Sequence, residues 1–214
     1  MGKRLFDILV SSIGLMVASP ILLICATVIK LDSKGPVFYR GERIGRNGKS
    51  FFIIKFRSMI DNAECLGASS TNALDVRITR FGRYIRKYKL DELSQLINVL
   101  KGDMSIVGPR PQVGWAVELF SKEEKQVLRL RPGLTDWASI RFNNEEEIIE
   151  KSGYSNADEA YMKLIHPEKM RLQLKYLHER SFLTDIRIIL DTARTLLRTR
   201  AIFGEKNARH EMKA

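Results

Sequence analysis

The longest apolar pattern comes first in the chain. Residues 8–29 form an uncharged, mostly apolar run of 22 residues, and a helix needs roughly 20 apolar residues to cross a bilayer. Lys3 and Arg4 precede the run, and Lys30, Lys34, Arg40 and Arg43 follow it. Lysine and arginine collect on the cytoplasmic side of membranes, so basic flanks at both ends favour a helix that enters and returns to one face. Ser19-Pro20 divides the run into halves of about eleven residues, roughly 17 Å each at 1.5 Å per residue, too short to cross alone. Proline kinks helices, and a neighbouring serine can bond the carbonyl that proline leaves free. The pattern predicts a re-entrant helix broken at Ser19 and Pro20. A kinked single-pass helix is the competing reading, because spanning helices tolerate proline. A cleaved signal fits poorly: the small residues Val17-Ala18-Ser19 are followed by proline and more apolar sequence.

Beyond the anchor the periods shorten. Ser33-Lys34-Gly35-Pro36 marks a turn. Val37–Tyr39 and Phe51–Phe56 read as strands joined through the glycine-containing stretch Gly41–Gly48, a small β-hairpin. Residues 60–74 are a polar helix or loop. In 75–89, Arg77, Arg80, Arg83 and Arg86 recur every third position, which places them on one broad helical face. Leu93, Leu96, Ile97 and Leu100 then show an amphipathic period, and Lys101-Gly102 supplies a stop. Residues 114–130 read as a helix, and 131–140 as a turn and a strand-like stretch. The run Glu145–Glu147 opens a loop or short helix. A helical pattern fills 158–179, with Pro167 marking a break or a new start. Residues 184–203 carry Ile186, Ile189, Leu190, Ala193, Leu196 and Leu197 on one face, bordered by Arg187, Arg194, Arg198 and Arg200. That is the pattern of a helix on an anionic membrane surface, and equally of one packed on a core. These elements predict an α+β, membrane-associated protein: residues 1–34 as basic start and re-entrant helix, 35–204 as a cytoplasmic domain, and 205–214 as a loose polar tail.

Charge narrows the partners. The 214 residues carry a formal net charge of +11, which favours anionic partners: lipid head groups, phosphorylated substrates or nucleic acid. The membrane segment puts lipid and phosphate first. With no zinc-finger spacing or aromatic RNA-binding segment, no nucleic acid partner is expected. Cys25 and Cys65 offer no disulfide framework or CxxC motif. His166, His178 and His210 lack metal-ligand spacing and read as surface residues.

The candidate chemistry lies in 86–111. Asp91 and Glu92 sit at a helix start directly after the arginines. Helix-capping explains such acids as well as catalysis does. Gly108-Pro109-Arg110-Pro111 holds one guanidinium on a rigid, extended backbone, suited to a phosphate or a flat ring, and equally to a structural loop.

These residues together resemble one family. Ser19-Pro20, GPVFYRGERIG (35–45), KFRSM (55–59), the 75–111 block and RPGLTDW (131–137) are similar to the small monotopic phosphoglycosyl transferases, bacterial sugar transferases that act on polyprenyl phosphates. The resemblance covers nearly the whole chain. It implies a compact helical fold with a β-hairpin, a re-entrant helix and interfacial amphipathic helices, at the cytoplasmic face of the bacterial inner membrane. The implied reaction moves a sugar-1-phosphate from a UDP-sugar to polyprenyl (undecaprenyl) phosphate, releasing UMP, as the first membrane step of surface glycan assembly. Asp91 matches the family's nucleophile, which forms a covalent phospho-sugar intermediate. Glu92 matches the second member of the dyad. The pair suits Mg²⁺, a hard cation that keeps several waters. Arg86, Arg110, Pro109 and Pro111 match phosphate- and nucleotide-binding positions, and Lys55, Arg57 and Arg141 are further candidates. The same transfer without a covalent intermediate, and a non-catalytic basic membrane scaffold, are the alternatives. The donor sugar and oligomeric state stay open. Three departures stand out: Ser94 where many relatives have proline, Asp136 where many have glycine, and Phe142-Asn143 in place of a glycine-arginine pair.

Overall fold

The computed structural model describes residues 2–67, 70–72 and 74–211, with side chains for all of these except Glu64 and residues 199–211. The apolar run is a single helix, α1 (Gly2–Asp32), with Pro20 inside it. Ser19-Pro20 does not end the helix. Proline lacks the N–H that would bond the carbonyl four residues back. That carbonyl is Met16 O, and Ser19 Oγ donates to it at 2.8 Å. One side of α1 buries Asp7, Ser11, Cys25 and Ile29, while Leu5, Leu9, Met16, Val17, Leu23, Ile24 and Leu31 are exposed.

Both ends of α1 are fastened to the rest of the chain. At the first end Arg4 donates to the carbonyls of Val99 and Leu100, the latter at 2.8 Å. Lys3 pairs with Asp185. Buried Asp7 accepts from the Ser105 hydroxyl and the Ile106 amide, both at 3.1 Å. At the other end Lys30 Nζ donates to Gly35 O at 2.9 Å, and Asp32 accepts from Phe81 N at 3.1 Å. Cys25 and Ile29 join Phe56 and Ile85 in a small core.

The hairpin pairs β1 (Phe38–Ile44) with β2 (Ser50–Phe56), antiparallel, with Tyr39 opposite Lys55. β1 runs five residues past the expected Tyr39, because Gly41 pairs with Ile53 inside the ladder rather than in the turn. The turn is Gly45–Lys49, with Asn47 at φ 58° and Gly48 at φ 74°. The arginine stripe divides. Only Arg80, Arg83 and Arg86 lie on α2 (Arg80–Lys87). Arg77 precedes the helix and is buried, forked onto Asp75 at 2.6–3.1 Å.

A 3₁₀ helix, Leu90–Gln95, leads into α3 (Leu96–Lys101), and Gly102 at φ 93° ends it as expected. Of the leucine stripe only Leu96 is buried; the rest of the buried face is Asp91, Ser94, Gln95, Asn98 and Val99. The reason is the open edge of β2, whose backbone groups need partners. Asn98 Oδ1 accepts from Ile54 N, and Asn98 Nδ2 donates to Phe52 O, both at 2.8 Å. Ser94 Oγ donates to Ile54 O at 3.0 Å, a bond that proline could not make.

β3 (Ser105–Val107) pairs in parallel with β4 (Gly133–Thr135). The expected helix over 114–130 is two pieces, α4 (Gly114–Glu118) and a 3₁₀ turn, Glu124–Arg129. The second begins at a reciprocal cap: Glu124 Oε2 accepts from Ser121 N at 2.7 Å and Ser121 Oγ from Glu124 N at 3.2 Å. After β4 the backbone turns helical at once. Asp136 caps α5 (Trp137–Arg141) by accepting from Ser139 N at 2.6 Å. Helices α6 (Glu145–Lys151), α7 (Ala157–Ala160) and α8 (His166–Glu179) follow, with Pro167 at the start of α8. His166 is buried rather than on the surface: it packs on Phe120 and its Nε2 lies 3.2 Å from Glu124 Oε1. The His210 side chain is outside the described residues. The last helix, α9 (Phe182–Glu211), continues through Gly204, where a loose tail was expected to begin; residues 212–214 lie outside the described residues. α9 buries Asp185 and Ile188 and exposes Leu183, Leu190 and Leu197, so it has both a core face and an unpartnered leucine stripe.

The strand pair β3–β4 tolerates no side chain at its glycines. A Cβ on Gly133 would lie 2.1 Å from Gly108 N and 2.3 Å from Gly108 O. Gly133→Ala therefore forces the strands apart and lowers stability by about 1–3 kcal/mol, read as a drop in the thermal unfolding midpoint. Gly114→Ala, where a Cβ meets nothing within 4 Å, leaves the midpoint unchanged or slightly higher.

Candidate active site

A cavity of about 560 Å³ lies between the hairpin, the Leu90–Gln95 turn, the loop after β3, and helices α5, α6 and α9. Lys55, Arg86, Lys89, Glu92, Arg110, Glu145, Glu146 and Lys169 line its polar part. Val10, Leu96, Ile140, Ile189, Ala193 and Leu196 line an apolar part facing α1 and α9. The cavity thus joins a charged end to an apolar end beside the exposed faces of those two helices.

The two acids do different things. Neither caps the helix: Lys89, at φ 55°, occupies the capping position and no side chain bonds there. Glu92 Oε1 accepts from Lys55 Nζ at 2.8 Å and is paired with Arg110 Nη2. Arg110 is held by Leu134 O, 3.1 Å from its Nη1. Burial would raise the Glu92 pKa, but Arg110, Lys55 and Lys89 outweigh it and hold the carboxyl well below its ordinary 4.5. Asp91 is buried, and its Oδ1 has no hydrogen-bond partner among the described residues. Burial, with the charge of Glu92, raises its pKa above the ordinary 3.8, partly offset by Lys55, Arg86 and Lys89. Asp91 is not itself among the cavity-lining residues; it lies behind them, next in the chain to Glu92. Two adjacent carboxylates with pKa values pushed apart have separable chemical roles.

The other expected residues divide. Lys55, Arg86, Arg110 and Pro111 line the cavity. Pro109 is buried behind it, its carbonyl accepting from Gly133 N at 2.9 Å, so it fixes the loop that carries Arg110. Arg57 lies elsewhere. It is buried under the turn after α1, with Nη1 and Nη2 on the carbonyls of Lys34 and Ser33 at 2.8 and 2.7 Å. In a strand, successive side chains take opposite faces, and β2 ends at Phe56, so Lys55 and Arg57 separate. Arg141 is exposed and outside the lining; Phe142 and Asn143 beside it line the cavity.

Three participants were not singled out from sequence. Glu146 Oε1 takes both Nε and Nη2 of Arg86, the former at 3.0 Å. Lys169 Nζ pairs with Glu145 Oε2 at 2.7 Å and sits 4.9 Å from the centre of the Tyr161 ring. The triple glutamate run of α6 was the available signal for Glu145 and Glu146; nothing local marked Lys169. Asp136 is committed to structure, accepting from Gln173 Nε2 at 3.1 Å besides capping α5.

An apolar, largely exposed helix lies against a cavity that pairs carboxylates with several cations, an arrangement suited to holding anionic groups. The chain belongs to the bacterial sugar transferase family, whose model matches residues 1–199. Among its relatives is a UDP-N-acetylgalactosamine-undecaprenyl-phosphate N-acetylgalactosaminephosphotransferase of Aeromonas hydrophila, 38% identical over 199 residues, which are 91% of this chain and 43% of that protein. A UDP-glucose:undecaprenyl-phosphate glucose-1-phosphate transferase of Klebsiella pneumoniae is 43% identical over 155 residues, 70% of this chain and 33% of its own length. An uncharacterised sugar transferase of Bacillus subtilis (strain 168), EpsL, is 35% identical over 195 residues, 91% of this chain and 87% of that protein. The chain therefore spans less than half the length of the first two and most of the third.

Opposite pKa shifts give the two acids opposite effects on stability. Asp91 binds its proton more tightly when folded, so its ionised form costs stability above its raised pKa, and that cost disappears as pH falls below 3.8. Glu92 contributes stability above 4.5 that is lost as pH falls through its depressed pKa. At pH 7 Asp91→Asn raises the unfolding midpoint. Glu92→Gln lowers it, because the unpaired cations left behind cost about 1–3 kcal/mol of stability. A series of melts from pH 7 to pH 3 reads both, and both differences shrink toward the acid end.

Proposed function

We propose that this chain transfers a sugar-1-phosphate from a UDP-sugar to polyprenyl (undecaprenyl) phosphate, through a phospho-sugar ester on Asp91. The observation that carries this reading is the buried Asp91 oxygen without a partner, beside a Glu92 already fixed by Lys55 and Arg110. Family membership and the names of the relatives support it. An Asp91 oxygen attacks the β-phosphorus of the donor, the bond to the α-phosphate oxygen breaks, and UMP leaves. A phosphate oxygen of the lipid then attacks the same phosphorus. The Asp91–phosphorus bond breaks, which regenerates the carboxylate and gives the polyprenyl diphosphate sugar. Carboxylates serve as nucleophiles to phosphorus in aspartyl-phosphate chemistry, and such transfer depends on charge stabilisation and positioning.

Each residue then has a task. Glu92 stays ionised and holds Lys55 and Arg110 where the diphosphate enters. Arg86 exchanges the Glu146 carboxylate for a donor phosphate. Pro109 and Pro111 restrain the backbone on either side of Arg110 beneath the nucleotide. The apolar end of the cavity suits the isoprenoid chain. Among the described residues no group of three or more His, Cys, Asp or Glu is arranged to hold a metal ion; the adjacent Asp91 and Glu92 would offer two carboxylates. That fits Mg²⁺, which takes one or two carboxylates and completes its shell with substrate phosphates and water. Bound there by Asp91 and Glu92, it would neutralise the charge of the diphosphate.

The membrane arrangement follows from α1. Because both of its ends are bonded to the catalytic domain, a crossing that separates the ends would break one set of contacts. The reading is a re-entrant anchor at the cytoplasmic face of the bacterial inner membrane.

Two experiments test these readings. Donor alone, without acceptor, releases UMP approaching one per active site, and the peptide containing Asp91 gains the mass of a phospho-sugar. Asp91→Asn abolishes both. UMP release that requires polyprenyl phosphate, with no adduct, points instead to transfer without an intermediate. In the same assay excess EDTA stops turnover and Mg²⁺ restores it. For topology, cysteines introduced near residues 2 and 48 label from the same, cytoplasmic side of intact cells; labelling of residue 2 from outside overturns the re-entrant reading.

A further inference from the structure

A second cavity, of about 860 Å³, lies across β3 from the first. Ile106 lines the first cavity, whereas Ser105 and Val107 line the second, as the alternation of a strand requires. Its walls are the start of α1, the hairpin turn, the segment entering β4 and the junction of α8 with α9. They bring Lys3, Arg4, Arg46, Arg129, Arg131 and Arg180 together with only Asp7 and Asp185.

Those two acids are already used. Asp185 is paired with Lys3 and accepts from Tyr176 Oη at 2.6 Å. Asp7 serves the Ser105 hydroxyl and the backbone amide of Ile106. Arg4 is spent on the carbonyls of Val99 and Leu100. Arg46 and Arg131 use Nε on the carbonyls of Arg129 and Gly102, at 3.2 and 3.0 Å, which leaves their terminal nitrogens. Among the described residues none of Arg46, Arg129, Arg131 and Arg180 forms a salt bridge, and Arg129 and Arg180 are exposed. Four guanidinium groups around one cleft repel one another unless an anion sits among them.

The mouth of the cleft is apolar. Leu5, Leu9 and Phe182 line it at 70%, 58% and 57% exposure. Phe6 meets Phe182 edge-on at 5.3 Å between ring centres. Leu5 and Leu9 begin the exposed apolar side of α1, which continues to Met16, and Leu183 begins the leucine stripe of α9. The cations therefore lie where the two lipid-facing helices start. A free phosphate would use the arginines and leave the leucines unused. A phospholipid uses both.

We infer that this cleft is a second, non-catalytic binding site for one anionic phospholipid, its phosphate held among Arg46, Arg129, Arg131 and Arg180 and its acyl chains along Leu5, Leu9 and Phe182. Arginine suits this role because its fork matches phosphate oxygens. The bound lipid ties together the hairpin turn, the β4 entry and the α8–α9 junction, and the strands and helices that these segments join also line the first cavity.

The test is native mass spectrometry of the full chain in detergent with added phosphatidylglycerol or phosphatidylcholine. Phosphatidylglycerol is retained one per chain and phosphatidylcholine is not. Each cation near an anionic lipid contributes about 1 kcal/mol, so Arg129→Gln with Arg180→Gln weakens retention by about tenfold or more. Arg129→Lys with Arg180→Lys recovers part of it, which separates lost charge from lost folding. Arg187→Gln with Arg194→Gln removes the same charge from α9 outside the cleft and leaves retention unchanged. A phosphatidylglycerol bearing a photoreactive group on its acyl chain labels the peptides containing Leu5–Leu9 or Phe182. Equal loss in both glutamine pairs means diffuse attraction and overturns the site. Displacement of the lipid by equimolar inorganic phosphate overturns the lipid in favour of a free anion.

Discussion

The Glu92 carboxylate is the junction on which the cavity depends. Lys55 reaches it from the hairpin and Arg110 from the loop after β3, so three segments distant in the chain meet at one charge. Without that carboxylate two cations would face each other in a partly dry space, where like charges repel strongly. The same junction explains the contrast with Asp91. Glu92 takes the available cations at hydrogen-bonding range, and its neighbour is left buried with an open oxygen. A side chain so placed costs stability, the usual condition of a group kept free for chemistry.

The junction is built on backbone satisfaction. Asn98 and Ser94 bond the open edge of β2, which fixes the strand carrying Lys55 against the turn carrying Asp91 and Glu92. On the other side Gly108 and Gly133 let β3 and β4 approach closely, which sets the loop carrying Arg110. Small or hydrogen-bonding residues thus decide where the charged ones meet. Around them α6 places Glu145 and Glu146 on Lys169 and Arg86, so Lys55, Arg86, Arg110 and Lys169 each have a carboxylate partner. On the proposed reaction, substrate phosphates replace some of those carboxylates.

The exposed apolar surface follows from the same economy of partners. α1 keeps its apolar side bare and bonds both of its ends to the domain, and α9 adds a bare leucine stripe beside it. The two cavities open on either side of β3 with these helices along their rims. On the proposed readings, chemistry and lipid contact are neighbours, separated by one strand.

Some of this was legible in the residues alone. The 22-residue apolar run, the serine beside Pro20, the hairpin, the stop at Gly102 and the dyad after the arginines are local patterns, fixed by periodicity and by what proline and glycine permit. The resemblance of the 75–111 block pointed to Asp91, Glu92, Arg86 and Arg110, of which the last three line the cavity. Contacts between distant segments were not legible. Arg77, Arg80, Arg83 and Arg86 look alike in sequence, yet one is buried on Asp75, two face solvent and one enters the cavity. Arg57 and Lys55 are two residues apart, but the end of β2 at Phe56 sends them to different places. His166 and Lys169 became interior only because α8 packs on the Glu124 turn and on α6. The sequence by itself determined the apolar run, the hairpin and the rigid turns, because those properties come from neighbours along the chain; it did not show the division of 114–130, the helix at 137–141 or the helix through Gly204. Which charge meets which was decided by the tertiary structure, since burial removes water and leaves each ion to the partner that the fold brings to it.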